Sequence, residues 1–362
     1  AHGLFIVWGY AVTAHANVVS ESATLLTQYP DVLMATVAGF LLLGIGIVSM
    51  RAARRRVRYE TWYFLHLYTY LAIALAFSHQ LADGAAFVGN LAARFWWSAM
   101  YLTVLVLVLW YRFAVPLLSY RKHRFEVIGV KPEGPGVISV YIGGRRFEEL
   151  DAEPGQFFRW RFLTRSLWWS SHPFSLSAAP GDDVLRITVK NLGDHSQALA
   201  QLQPGTRIFA EGPYGAFTPA DSGRGVVLLA GGVGITPLRA IFATLPGHVT
   251  LIYRASSERD LVFREELDAI AAARGATVHY LVGSRAQIRS DPLSPRVLQS
   301  LVPGLDQQEA YVCGPAGMTS AAVRALRYLY FKRSFVIVRK ALTDPDAQVR
   351  EAALVAIAGL HF

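Results

Sequence analysis

Four histidines stand where membrane-spanning helices would carry them. His66 and His79 fall within Tyr59–Leu81, YETWYFLHLYTYLAIALAFSHQL, and His2 and His15 within the apolar stretch Ala1–Ser20. An apolar run of about 20 residues crosses a bilayer, and an ionisable group inside such a run is costly and functional by default. The members of each pair are 13 residues apart, roughly 20 Å of helical rise. One imidazole of each pair would then lie toward each side of the membrane. Two facing helices so equipped offer two stacked bis-imidazole sites, an axial ligand set that haem takes. At about 100° per residue the second histidine is rotated some 140° from the first, so ligation requires a local distortion or haems reached from different sides. The alternative is a histidine that only bonds a neighbouring carbonyl.

A second constellation lies far along the chain. Ala230-Gly-Gly-Val-Gly-Ile-Thr-Pro-Leu238 follows a buried apolar run and opens a helical one. Gly231, Gly232 and Gly234 would let the backbone approach a pyrophosphate, with Thr236 and Pro237 in the first helical turn and its free N–H groups beneath. A tight loop would also use these glycines. Val312-Cys-Gly-Pro-Ala-Gly-Met318 ends another predicted strand, where open α/β sheets bind ligands, bringing Cys313, Gly314 and Pro315 to the same edge. Ser284-Arg285 follows a third strand end, as a solvated loop or as a hydroxyl and guanidinium for the 2′-phosphate of NADP. Where an NAD ribose would find a carboxylate after Val249–Tyr253, Arg254 stands instead.

The elements that must position these groups are legible in composition. Of 362 residues 53% are hydrophobic and the mean hydropathy is +0.31, too apolar for an ordinary soluble protein and long enough for two or three domains. A net charge of +9 could signal nucleic acid. The densest basic runs, Arg51–Arg58 and Arg121–Arg124, instead end apolar spans, where the positive-inside bias places them; no nucleic-acid partner is expected. One cysteine, Cys313, excludes an internal disulfide and a cysteine-rich metal site.

Four spans are expected at about 1–20, 31–50, 61–82 and 96–118, with Trp62, Tyr63, Trp96, Trp97, Tyr111 and Tyr120 as interfacial aromatics. The arginine runs place the cytoplasmic ends, so span one runs parallel to span three. His2 and His66 then share the inner level and His15 and His79 the outer. No signal peptide is visible, and the chain opens at Ala1 already inside an apolar span, as a sequence missing its start would.

From Phe125 the pattern becomes that of a soluble protein. Val137–Ile142 and Val184–Val189 alternate as strands of an antiparallel β-barrel ending near Thr218. Beyond Asp221–Gly225, strands at Val226–Ala230, Val249–Tyr253, Thr277–Leu281 and Glu309–Cys313 alternate with helices at Leu261–Arg274 and Met318–Tyr328, an α/β doubly wound sheet. The tail after Val338 reads as two short helices around Asp344-Pro-Asp346, similar to a single HEAT-type repeat, which cannot bury its own face. The expected division is a helical membrane bundle at 1–122, the barrel at 123–220, the nucleotide domain at 221–335 and the helical tail at 336–362.

Three blocks precede the glycine turn in order: His172-Pro-Phe-Ser-Leu-Ser177, Val189-Lys-Asn-Leu-Gly-Asp-His-Ser196 and Glu211-Gly-Pro-Tyr-Gly-Ala-Phe217. As an ordered set they resemble the ferredoxin–NADP reductase superfamily. With histidine-bearing spans ahead, residues 1–330 resemble the ferric reductase/NADPH oxidase family of transmembrane reductases. The resemblance implies FAD on the barrel, NADPH on the α/β domain and two haem b in the membrane. It implies that Phe174 lies against the isoalloxazine and Ser175 bonds near its N5, and that His172 and Ser196 meet the FAD phosphates. Pro173, Lys190 and Gly193 complete that flavin set. Cys313 and Thr236 would face the nicotinamide, with Ser175 and Cys313 at the hydride-transfer step. Family members carry six spans and end in a strand with an aromatic residue near the flavin. Here the first two spans are lacking, and Phe331–Phe335 leads into the repeat-like tail.

The expected function is an integral membrane oxidoreductase, of a bacterial-type plasma membrane, with its flavin and nucleotide domains cytoplasmic. It would carry electrons from NADPH through FAD and two haems to an outer acceptor, a ferric chelate or oxygen. One rival is a haem-free, membrane-tethered flavin reductase feeding a soluble partner. The other is a non-catalytic protein whose tail binds a partner.

Overall fold

The computed structural model describes residues 2–29, 31–50, 57, 59–84, 86–181, 183–219, 225–283, 292–328 and 350. The chain divides into two compact units, Ala1–Trp110 and Tyr111–Phe362. Most of the Arg51–Arg58 run, Ser284, Arg285, Phe331–Phe335 and the repeat-like tail except Arg350 lie outside the described residues.

The first unit is helical: α1 His2–Thr13, α2 Val18–Gln28, α3 Val32–Ser49, α4 Tyr59–Asp83 and α5 Leu91–Leu109. The span expected at 1–20 is not one helix. α1 and α2 meet at a bend of 106°. His15 sits in the break with φ 51°, and the Asn17 side chain accepts the Val19 N–H at 2.8 Å to start α2 afresh. Asparagine at an N-cap competes with helix continuation in this way. α3 packs on α4, where Trp62 Nε1 donates to Ser49 Oγ at 3.3 Å. Between α4 and α5, Gln80 Oε1 accepts from Trp97 Nε1 at 2.8 Å and from Tyr101 OH at 3.3 Å.

Among the described residues two helices are long and apolar enough to cross a membrane, Val32–Ser49 and Leu91–His123, or three spans if the bent pair counts as one, against the four expected. The histidine-bearing α4 has 25 residues but is not among them; His66, His79, Gln80 and several tyrosines dilute its apolar character. Leu91–His123 is interrupted by a π turn at Trp110–Ala114 before α6, Val115–His123, in which Pro116 stands in the first turn. A proline ring crowds the carbonyl four residues back, here that of Arg112, and a π turn makes room for it.

In the second unit, six strands precede the nucleotide-type pattern: β1 Glu126–Gly134, β2 Val137–Gly143, β3 Phe157–Phe162, β4 His172–Ser175, β5 Leu185–Lys190 and β6 Ile208–Tyr214. They form two three-stranded antiparallel sheets, β1-β2-β5 and β4-β3-β6. Isolated bridges, Leu176 to Ile187 and Glu126 to Arg207, join them. The expected barrel is thus present as two sheets around one core rather than as a closed ladder. Phe158, Trp160 and Phe162 alternate inward along β3 and meet Phe125, Val140, Ile142, Ile187 and Ile208. Helix α7, Asp194–Leu199, lies between β5 and β6.

The remainder alternates strand and helix: β7 Val226–Gly231, α8 Ile235–Thr244, β8 Val249–Ala255, α9 Arg264–Arg274, β9 Thr277–Val282, α10 Pro295–Leu301, β10 Glu309–Cys313 and α11 Ala316–Tyr328. The sheet is parallel, in the order β10-β7-β8-β9. β7 is buried along its whole length, as a central parallel strand must be with helices on both faces. The chain leaves β7 toward β8 and β9, then returns to place β10 on its other side. The crevice at the carboxyl ends of β7 and β10 is therefore the topological switch point, where open α/β sheets take ligands.

Candidate flavin and nucleotide site

β4 is registered on β3 so that His172 faces Trp160, Pro173 faces Arg159, Phe174 faces Phe158 and Ser175 faces Phe157. The Trp160 indole donates to the Phe174 carbonyl at 3.0 Å, locking β4 to the core from beneath. Phe174 and Ser175 stay half-buried and Pro173 exposed, an edge left open for a planar ligand.

The turn after β5 carries α7 to the same corner. The His172 and His195 rings stand 3.7 Å apart, with the Phe174 ring 6.4 Å from His172. His195 Nε2 is buried and has no hydrogen-bond partner among the described residues. Burial, and then the neighbouring His172, push its pKa down to about 4, so the ring is neutral at neutral pH. An orphaned polar atom beside a half-open aromatic edge is costly unless a ligand completes it, and it fits a flavin cofactor. Ser196 is differently placed. Its hydroxyl accepts the Leu192 N–H at 2.8 Å and donates to the Gly193 carbonyl at 2.9 Å, which closes the turn. Lys190 ends β5 exposed.

At the switch point the glycine turn and the Cys313-Gly314-Pro315 turn touch backbone to backbone. A Cβ at Gly234 would collide with the Cys313 carbonyl and lie 2.7 Å from Gly314 Cα; one at Gly231 would strike Met318 and lie 3.1 Å from Pro315 Cδ. Gly232 is left-handed, with φ 52° and open space on its Cβ side. Only glycine gives this close approach and this open cradle together, and the cradle fits a dinucleotide pyrophosphate. Thr236 and Pro237 are buried in the first turn of α8, where the Thr236 hydroxyl donates to the Val233 carbonyl at 3.0 Å. Cys313 is half-buried at the end of β10, and burial pushes its thiol up to about 11. It is a neutral thiol there, suited to contact rather than nucleophilic attack.

Arg254, at the end of β8, donates to the Leu281 carbonyl at 3.0 Å and also to the Gly283 carbonyl. It braces the end of β9 at the threshold of Ser284 and Arg285.

Sequence patterns did not single out four further residues. Tyr253, fully buried, donates to the Gly232 carbonyl at 3.2 Å and accepts the Val262 N–H at 3.2 Å, fixing the glycine turn from below; burial pushes its pKa up to about 12. Arg186 of β5 and Arg239 of α8 converge on Glu266 of α9, so the flavin-type sheets and the nucleotide-type sheet share one ion cluster. Arg186 also covers the Phe263 ring at 4.5 Å. Tyr253 lies in a plain strand, and the ion cluster joins residues 80 apart, a contact that no local spacing announces.

In the membrane-type unit, His15 is exposed in the break, His66 is exposed and stacked on Trp62 at 4.8 Å, and His79 is half-buried. His2 lies in α1, its side chain outside what the structure describes. With His15 in the bend, the His2–His15 spacing is not carried on one helix, whereas the His66–His79 spacing lies within α4. Among the described residues no group of three or more His, Cys, Asp or Glu is placed to hold a metal ion; a haem needs only two axial side chains.

Three family models match in order: a ferric reductase like transmembrane component over residues 1–77, an FAD-binding domain over 125–218 and an oxidoreductase NAD-binding domain over 228–324. A ferredoxin reductase component of 3-ketosteroid-9-alpha-monooxygenase from Mycolicibacterium smegmatis is 33% identical over 50% of this chain and 53% of its own length. An NADPH oxidoreductase of Mycobacterium tuberculosis is 28% identical over 58% of this chain and 57% of its own. The cytochrome b5 reductase domain of Ulva prolifera nitrate reductase is 19% identical over 59% of this chain and 95% of that one, with a TM-score of 0.49. The chain spans about half the length of the curated relatives it matches. In order and in description the three matches agree with a flavin- and NAD(P)-dependent oxidoreductase that carries a ferric reductase-like transmembrane component.

Proposed function

We propose that this chain moves electrons from NADPH, through FAD, to an acceptor across or at the membrane. The observation that carries the reading is the paired cradle: a half-open His172-Pro-Phe-Ser edge with an orphaned His195 nitrogen, tied by Arg186, Glu266 and Arg239 to a glycine crevice. A flavin supplies the conversion of a hydride into single electrons. The residues supply position. Phe174 would lie along the isoalloxazine, Ser175 would donate near N5, and His172, His195, Lys190 and the Gly193–Ser196 turn would hold the ribityl phosphate end. Gly231, Gly232 and Gly234 would admit the NADPH pyrophosphate, with Cys313, Thr236, Gly314 and Pro315 at the nicotinamide side. Ser284 and Arg285 would bond the 2′-phosphate. The division near residues 122, 220 and 335 is part of the same proposal.

The ferric reductase-like part extends the route. His66 and His79 on α4, with His2 and His15, are the residues proposed to hold two b-type haems, the flavin side being cytoplasmic and the outer acceptor a ferric chelate or oxygen. The break at His15 favours a second reading, a haem-free reductase serving a soluble electron carrier. A reduced-minus-oxidised visible spectrum of the purified chain decides: haem bands with NADPH-driven bleaching of the flavin support the first, flavin bleaching alone the second. Absence of any flavin signal would overturn both.

A further inference from the structure

A cleft of about 460 Å³ lies where the long apolar helix ends, lined by Leu118, Arg121, Lys122, Arg124, Arg145 and Arg146. Positive-inside topology and the helix dipole account for the first three cations, which close α6. They do not account for Arg145 and Arg146, which come from the loop after β2.

That loop is built onto the helix end. The Arg145 N–H donates to the His123 carbonyl at 2.7 Å, and His123 Nδ1 lies 3.1 Å from the Arg145 carbonyl. A Cβ at Gly144 would sit 2.8 Å from that His123 carbonyl. Arg124 and Arg146 are both left-handed, with φ 47° and 54°. The buried His123 ring stacks on Phe125 at 5.3 Å and 6°, anchoring the cleft to the flavin-domain core.

Charge is left over. Glu149 takes Lys122 at 2.6 Å and Arg146 at 3.6 Å, and the bond from Lys122 holds its carboxyl below the usual carboxylate range. The side chains of Arg121, Arg124 and Arg145 have no partner among the described residues. Leu117 and Leu118 are exposed beside them, on a helix continuous with the span Leu91–His123.

We propose that this cleft binds the phosphodiester headgroup of an anionic phospholipid, the guanidinium groups gripping the phosphate and Leu117 and Leu118 flanking its acyl side. Guanidinium forks suit phosphate oxygens, and an apolar margin next to a cationic floor fits a lipid better than a free anion. The proposal rests on the membrane placement of the span and is independent of the electron acceptor.

The test uses the flavin-loaded full chain in neutral detergent, titrated with phosphatidylglycerol, phosphatidylcholine or inorganic phosphate and read by native mass spectrometry. Phosphatidylglycerol is expected to bind at least roughly tenfold more tightly than phosphatidylcholine, and R145Q/R146Q to lose about tenfold of that affinity. R296Q/R324Q, which removes equal charge from exposed positions elsewhere, should leave it unchanged. NADPH–ferricyanide activity reports that each variant is folded, and R121Q/R145Q serves if the first variant does not fold. Equal affinity of R145Q/R146Q and R296Q/R324Q would overturn the site. Displacement of phosphatidylglycerol by inorganic phosphate at equal concentration would make it a free-anion site and overturn the lipid assignment.

Discussion

The imidazoles of His172 and His195 face each other across 3.7 Å, one from a strand edge and the other from a short helix 23 residues later. Because His195 is held neutral, its contribution to stability follows pH with a definite sign. Its folded pKa, about 4, lies below the ordinary value of 6.5. Between these values the unfolded chain binds the proton first, so stability falls as pH drops from 6.5 toward 4. His195→Gln should flatten that slope, seen as a smaller difference in urea midpoint between pH 7.5 and 5 than in the parent. An identical pH response in both would show that His195 does not carry it. The same variant should release flavin more readily at neutral pH.

Glu266 is the hinge pin between the flavin-type and nucleotide-type halves. Glu266→Gln leaves the Arg186 and Arg239 side chains, 8% and 13% exposed, facing each other without a carboxylate. Breaking a buried pair costs about 3–5 kcal/mol; Glu266 is 31% exposed, so roughly 1–3 kcal/mol is expected after solvent screening. Equilibrium unfolding measures it, and a loss below about 0.5 kcal/mol would place the cluster among ordinary surface pairs.

Gly234→Ala pushes a methyl group into the Cys313–Gly314 backbone. Overpacking of this kind costs about 1–3 kcal/mol, here paid where the two turns meet, so NADPH binding should weaken roughly tenfold. FAD content should stay at the parental level, because the atoms nearest a Cβ at Gly234 belong to Cys313 and Gly314 of the nucleotide crevice. Loss of flavin together with NADPH would mean that the turn supports the whole unit.

Arginines 254 and 285 should separate cleanly. The Arg254 guanidinium is occupied by carbonyls of the neighbouring strand end, so Arg254→Ala should weaken NADPH and NADH alike. Arg285→Ala should cost NADPH about 1.5–3 kcal/mol, the worth of charge-assisted bonds to a phosphate, and leave NADH nearly unchanged. KM values for both cofactors decide it; a selective loss in Arg254→Ala would reverse the assignment.

Much of this was legible in the chain, and the parts that were not share a cause. The strands at 137, 226, 277 and 309 announce themselves because period-two or continuous apolar runs end in glycine, and the strand at 249 because its apolar run ends at Arg254. The motif turns could be read because backbone crowding leaves glycine as the only residue that fits, as at Gly231 and Gly234. The single helix expected over 1–20 was misread because hydropathy averages over Thr13–Asn17 and does not see that Asn17 caps a new helix. The span expected at 61–82 is a helix of sufficient length, but its interleaved polar groups leave it less apolar than Val32–Ser49 and Leu91–His123. Arg186, Glu266 and Arg239 were invisible because their meeting depends on how two sheets pack.

The half-buried thiol at the end of β10 has a practical corollary. Cys313 is the single cysteine of the chain, so the protein carries a natural one-site label at the crevice with no background to engineer away. With its pKa raised to about 11, little thiolate exists at neutral pH, and reaction with a maleimide or disulfide reagent will be slow and will quicken as pH rises. The rate of that single modification is a clock for crevice opening, readable in the intact membrane protein without following electron flow.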